Sequence, residues 1–242
     1  MIPVDKIAEA ENLLLISDFD GTLAEFAVNA LEVRVNQQAI TALQQLAAVP
    51  GTHVALLSGR KLSELRTVSG LHEPVIFAGS HGEETSASDR PALNRGQRAA
   101  LDQITLAFEE LITDIPGAYV EHKPFHRVLH YRGAAPTRVA DLEQRASQLK
   151  VSGVQVHRGK MVFEASVTDY NKGSWIEHAR STYGEPLIVF LGDDRTDEDG
   201  FAVLRPGDYG IKVGAGATQA AYRLNTIPSV GDFLHRLAAA RS

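Results

Sequence analysis

The sequence predicts an α/β protein: a parallel sheet with helices on its faces, interrupted by an inserted α+β unit. Two observations carry this. Short continuous apolar runs alternate with helical periodicities in the first third, and again after residue 170, which is the repeat of a parallel sheet. Between them the strands follow one another over short connections, the mark of an antiparallel sheet. The 242 residues, 44% hydrophobic and 22% charged, suit a globular chain and exclude disorder, collagen and coiled coil.

Leu13-Leu14-Leu15-Ile16 is a continuous apolar run, as expected of a strand buried on both faces. Residues 36–46 carry Ala39, Ile40, Leu43 and Leu46 at helical spacing and stop at Pro50-Gly51, a breaker pair. A second buried strand is predicted over 53–57, a helix over 61–68 and a third strand over 75–78. Residues 95–112 form a long amphipathic helix, with Leu101, Ile104, Phe108, Leu111 and Ile112 on one stripe. Strands are then expected at 118–121 and 128–132, a helix at 137–149, and strands at 154–157 and 161–165. From Asn171 the parallel pattern resumes with a helix over 172–183 and a strand over 187–191. The acidic run 193–199 taken alone reads as a solvated, N-capping loop, 210–213 as a strand, and 218–224 and 230–240 as helices. This divides the chain into a core of residues 1–95 plus 168–242 and an inserted unit of residues 96–167.

Composition narrows the function. Against 30 acidic residues stand 24 basic ones, a net charge of -6, whereas a protein that tracks nucleic-acid phosphates carries a basic surplus. No nucleic-acid partner is expected. The chain has no cysteine, which removes disulfides, thiol nucleophiles and thiolate zinc sites. The nine histidines include no His-Glu-x-x-His pair, so zinc is not expected. The apolar run at 13–16 is too short to span a bilayer and lacks the flanks of a signal peptide. A cytoplasmic protein without membrane association is the expectation, with a monomer as the default. No Walker A loop and no Gly-x-Ser-x-Gly elbow occur. Gly214-Ala215-Gly216-Ala217-Thr218 reads as a turn before a helix, and Trp175 as a core residue.

Chemistry collects where parallel strands end, because ligands in open α/β sheets bind outside the carboxyl ends of the strands. Asp18-Phe19-Asp20-Gly21-Thr22 follows the first strand. Residues two apart on an extended chain point the same way, so Asp18 and Asp20 converge. Their repulsion requires a cation or a shared proton, and an oxygen cluster of this kind suits Mg²⁺. Ser58-Gly59-Arg60 follows the second strand, His81 the third, and Asp193-Asp194 the strand ending at Leu191; Lys172 opens a helix. Each piece alone is a solvated loop or a surface residue. Together, the carboxylates, hydroxyl and ammonium with a divalent metal are the parts phosphoryl transfer needs.

Asp18-Phe19-Asp20-Gly21-Thr22-Leu23, Ser58, Lys172 and Gly192-Asp193-Asp194 resemble the four motifs of the haloacid dehalogenase-like phosphatases. Ser58-Gly59-Arg60, Gly79-Ser80-His81-Gly82, Val120-Glu121-His122-Lys123, Val162-Phe163-Glu164, Asn171-Lys172-Gly173 and the run from Gly192 to Glu198 resemble, more narrowly, the trehalose-6-phosphate phosphatase family. The resemblance implies a Rossmann-like core with an α+β cap that closes over it and excludes water. It implies Asp18 as nucleophile forming an aspartyl-phosphate, and Asp20 as general acid and then base. Mg²⁺ would be held by the Asp18 carboxylate, the Asp20 carbonyl and Asp193, with Asp194 or Asp197 behind them. Ser58, Gly59, Arg60 and His81 would line the phosphate side, and Lys172 would neutralise charge on Asp18 and the transferring group. Glu121, Lys123 and Glu164 of the cap would grip the distal sugar of a small-molecule sugar phosphate. The core motifs equally fit sucrose phosphate or a glycosyl-glycerate phosphate, since they see only phosphate. A receiver-like phosphoacceptor module lacks an acid two residues after its phosphorylated aspartate.

Overall fold

The computed structural model describes residues 2–27, 31–87, 92–159 and 161–241. The chain divides into two compact units, Met1–Arg90 with Tyr170–Ser242, and Pro91–Asp169, where the sequence reading cuts after 95 and after 167.

In chain order the first unit begins with α1 (Val4–Ala8), β1 (Leu13–Ser17), α2 (Gln37–Ala47), β2 (Thr52–Leu57), α3 (Leu62–Ser69), β3 (Ile76–Gly79) and β4 (Glu84–Thr85). The second unit holds α4 (Arg95–Ile112), β5 (Tyr119–His122), β6 (His126–His130), α5 (Pro136–Ser147), β7 (Gln155–Arg158) and β8 (Val162–Ser166). The first unit then resumes with α6 (Lys172–Thr182), β9 (Leu187–Gly192), α7 (Arg195–Ala202), β10 (Tyr209–Val213), β11 (Tyr222–Leu224) and α8 (Ile227–Arg241).

The first unit's sheet runs β11-β10-β9-β1-β2-β3-β4. Every pairing is parallel except the β3–β4 edge. β1 alternates between two cores, which is why its sequence is apolar throughout: Leu13 and Leu15 face one cluster with residues of α1, α2 and α8. Leu14 and Ile16 face the other, with Trp175 and Ile176 of α6 and Phe201 of α7. Successive strand residues point to opposite faces, so a strand sandwiched by helices has no polar side. Chain order reverses between β1 and β9, and a crevice opens at such a switch point beyond the strands' carboxyl ends. On the same unit Thr85, Ala87, Tyr170, Trp175 and Tyr183 line a cavity of about 180 Å³.

The second unit is an antiparallel sheet, β5-β6-β8-β7. α4 and α5 cover one face, against Leu129, Phe163 and Ala165. The register pairs Glu121 with Val128 and Val128 with Glu164. Directly paired residues share a face, so the two glutamates stand in one row on the face away from the helices.

Two expectations are corrected. Residues 218–224 do not form a helix: Tyr222–Leu224 is a strand, pairing Ile211 with Tyr222 and Val213 with Leu224. A three-residue edge strand is too short for a period to show, and its neighbour decides. The stretch after Gly192 is not a loop but contains α7, started by a capping box in which Asp194 accepts from the Asp197 backbone and Asp197 answers Asp194. This is the reciprocal pattern that satisfies free N–H groups at a helix start. The short α1 and β4 carry no periodicity and were not expected.

Candidate active site

The site assembles from the ends of β1, β2, β3 and β9 and the start of α6. Its centre is Lys172, the first residue of a helix whose N-cap, Asn171, accepts from Ser174 N. The ammonium donates to Asp18 Oδ1 and to Asp197 Oδ1, each at 2.7 Å. Lys172 is 2% exposed and Asp197 is fully buried. Burial acts to lower the Lys172 pKa, but the two carboxylates outweigh it and hold the ammonium firmly charged. Burial likewise raises Asp18 well above the usual carboxylate range, with Lys172 pulling the other way and Asp197 adding to the rise.

Asp197 has little left to offer. Its Oδ2 accepts from Asp193 N at 2.8 Å and from Asp194 N at 3.0 Å, so both oxygens are committed. The approach is close enough that a Cβ on Gly192 would meet Asp197 Cγ at 2.2 Å. Asp194 is turned to capping, accepting from Thr196 N at 2.8 Å. Of the two acids between which the sequence leaves the supporting role open, Asp197 braces the centre and Asp194 starts α7.

Carboxylate oxygens of Asp18, Asp193 and Asp197 lie within 4.8 Å of one another. Burial first, then an excess of negative charge from Asp197 and Asp194, push Asp193 up to about 6 against the pull of Lys172 and Lys212. Hard oxygen donors grouped around such an excess fit Mg²⁺. Asp197 is already engaged by Lys172 and two N–H groups, so Asp18 and Asp193 are the carboxylates that could hold an ion with the fewest bonds to give up. Gly21 makes room: its φ is +83° and a Cβ there would lie 2.1 Å from Asp193 Oδ2.

Asp20 meets a different partner. Arg60 Nε donates to its Oδ2 and Nη2 to its Oδ1, both at 2.6 Å, and the guanidinium lies 5.5 Å from the centre of the Phe19 ring. The arginine expected on the substrate is thus engaged with the aspartate expected to move protons. Ser58 is buried, its hydroxyl oxygen accepting from Arg60 N at 3.2 Å. His81, in the left-handed region at φ 58°, donates its backbone N–H to Ser58 O at 2.8 Å. Its ring crowds Gly59, where a Cβ would come 2.7 Å from Cε1. His81 therefore braces the 58–60 turn.

One residue escaped the sequence reading. Lys212 of β10, 4% exposed, donates to the Asp193 carbonyl at 2.5 Å and stands 3.6 Å from Glu198 Oε1. The signal was present: a lysine inside the apolar strand Gly210-Ile211-Lys212-Val213 is buried only with a partner.

In the second unit, Glu121 Oε2 accepts from His130 Nε2 at 3.0 Å, and Glu164 Oε1 stands 3.0 Å from His126 Nδ1. Lys123 lies in the turn after β5, its backbone N–H donating to His126 O at 3.1 Å.

Chain order, sheet order and an aspartate cluster beyond β1 and β9 define a phosphatase-type α/β fold of the haloacid dehalogenase class. The solved C-terminal domain of C. albicans trehalose-6-phosphate phosphatase shares the fold, with a TM-score of 0.74 at 22% identity, covering 98% of this chain and 95% of that one. The family model described as trehalose-phosphatase matches residues 16–228. A trehalose-phosphate phosphatase of Mycobacterium marinum is 37% identical over 239 residues, 92% of this chain and 60% of the relative. The trehalose-6-phosphate phosphatase of Escherichia coli is 36% identical over 233 residues, 92% of this chain and 85% of the relative. The chain belongs to the trehalose-phosphatase family. It spans 60% of the length of the mycobacterial relative. Among the described residues, no helix is long and apolar enough to cross a membrane.

Proposed function

We propose that this chain is a Mg²⁺-dependent phosphatase that hydrolyses trehalose 6-phosphate through an aspartyl-phosphate on Asp18. The observation that carries the reading is the buried Asp18–Lys172–Asp197 chain, which aims a carboxylate beside a buried ammonium. Mg²⁺ bound by Asp18 and Asp193 would offset the charge of the phosphate dianion and of the carboxylates around it.

Asp18 attacks phosphorus, forming the acyl-phosphate bond as the bond to the sugar oxygen breaks. Asp20 gives that oxygen its proton, then takes one from the water that attacks the aspartyl-phosphate and releases inorganic phosphate. Lys172 neutralises charge on Asp18 throughout, and a compact ammonium suits that role. Ser58 donates to a phosphate oxygen. Recognition of the sugar falls to Glu121, Lys123 and Glu164, whose carboxylates accept from hydroxyls.

Phosphate release from a panel of sugar phosphates, with and without Mg²⁺, tests the reading. Trehalose 6-phosphate should be turned over fastest, and only with the metal. Equal turnover of sucrose phosphate would remove the substrate assignment. Asp18→Asn should abolish turnover with the fold intact, and an active variant would end the covalent mechanism.

A further inference from the structure

The face of the second unit's sheet away from α4 and α5 carries more than the two glutamates. Tyr119 and His130 are direct cross-strand partners on β5 and β6, and their rings stack at 4.6 Å between centroids with 10° between planes. Glu121 lies two residues along β5, on the same face. A carboxylate can only accept, so His130 Nε2 is the donor in the 3.0 Å bond to Glu121 Oε2. The imidazole is thereby fixed twice: Tyr119 covers its face and Glu121 takes its edge. Both members of the bond are about three-quarters covered, with side chains 27% and 23% exposed, so water competes weakly and the bond holds the carboxylate plane.

A glutamate side chain has three rotatable bonds, and a free one samples many positions. One held by a fixed ring presents its oxygens in a single orientation, the condition for a sugar hydroxyl to be bound without further ordering cost. We infer that His130 is a positioning residue for Glu121, setting the carboxylate that discriminates the sugar. Tyr119 in turn sets the histidine. This rests on the reading above in which Glu121 contacts the sugar. His130 acts through Glu121.

The test is steady-state kinetics of single and double variants on trehalose 6-phosphate and on p-nitrophenyl phosphate, which has no sugar. His130→Ala should lower the ratio of kcat/KM for the sugar phosphate over the aryl phosphate about tenfold, through KM more than kcat, the scale of one charge-assisted bond. In the Glu121→Ala background the same change should lower the ratio no further. Chain geometry supplies a second discriminator. A glutamine amide nitrogen reaches the place of Nε2, whereas an asparagine nitrogen stops near Nδ1. His130→Gln should therefore restore most of the ratio and His130→Asn should not, which decides the matter even if the alanine variant fails to fold.

Additive losses, equal losses on both substrates, or rescue by asparagine as complete as by glutamine would each overturn the role of His130. If Glu121→Ala leaves the ratio untouched, the sugar-binding reading beneath it fails instead.

Discussion

Replacing Asp197 by asparagine removes one charge from a place water does not reach. The aspartate accepts an ammonium at 2.7 Å on one oxygen and two backbone N–H groups at 2.8 and 3.0 Å on the other. Asparagine fills the same volume but has one acceptor oxygen. Whichever way the amide turns, its NH₂ faces either Lys172 or the two N–H groups, donor against donor. Breaking a buried ion pair by removing one partner costs about 3–5 kcal/mol. Lys172 keeps Asp18, which puts the loss at the lower end, about 3 kcal/mol. For a chain of this size each kcal/mol lowers the melting temperature by about 2–4 °C, so Tm should fall by roughly 6–12 °C. Thermal unfolding followed by circular dichroism in EDTA at pH 7.5 measures it, with Asp199→Asn, an exposed change two residues along α7, as the control. A drop no larger than the control's would show that Asp197 does not brace the centre.

Three further outcomes follow from the same geometry. Gly21→Ala places a methyl 2.1 Å from Asp193 Oδ2 at φ +83°; displacing that carboxylate by about an ångström should cut turnover about a hundredfold, and activity within twofold of the parent would contradict the close approach. Arg180→Met takes the cation from Asp208, whose carboxylate lies 2.6 Å from the arginine with both side chains nearly covered, and leaves it the Ile188 and Arg205 N–H groups. The expected cost is about 3–5 kcal/mol, read as a lowered urea midpoint, and a cost below about 1 kcal/mol would count as a surface pair. His53 packs against Tyr183 with 4.5 Å between ring centroids, and burial holds its pKa below the ordinary 6.5. The neutral form is thus favoured by folding, so its contribution is complete above pH 6.5 and fades as pH falls through the lower folded value. An NMR titration of the His53 ring should show a midpoint below 6.5; one at or above it would refute the shift.

The parts of this molecule that could be read from sequence are those in which one residue's neighbours are dictated by chain spacing. β1, β2 and β9 announce themselves because a strand covered on both faces has no choice but to be apolar. Asp18, Lys172 and Asp193 were legible because each follows a strand or opens a helix, where the chain's own geometry aims it. α7 was not, because its start signal is an exchange between Asp194 and Asp197 inside an acidic run that otherwise resembles a solvated loop. β11 failed for the opposite reason, since three residues hold no pattern and β10 imposes the pairing. The grip of Arg60 on Asp20, the commitment of both Asp197 oxygens and the alignment of Glu121 with Glu164 through Val128 join residues far apart in the chain. No local spacing encodes them.

Ala87 and Tyr170, which flank the second unit in sequence, line the same small cavity in the first unit. None of the 82 residues between them belongs to the Asp18–Lys172–Asp197 chain. The entropic cost of closing such a detour changes by only about 0.6 kcal/mol for each doubling of its length. The inserted unit is therefore a cassette. Its length can change at little entropic cost while the buried Asp18–Lys172–Asp197 chain of the first unit keeps its own contacts.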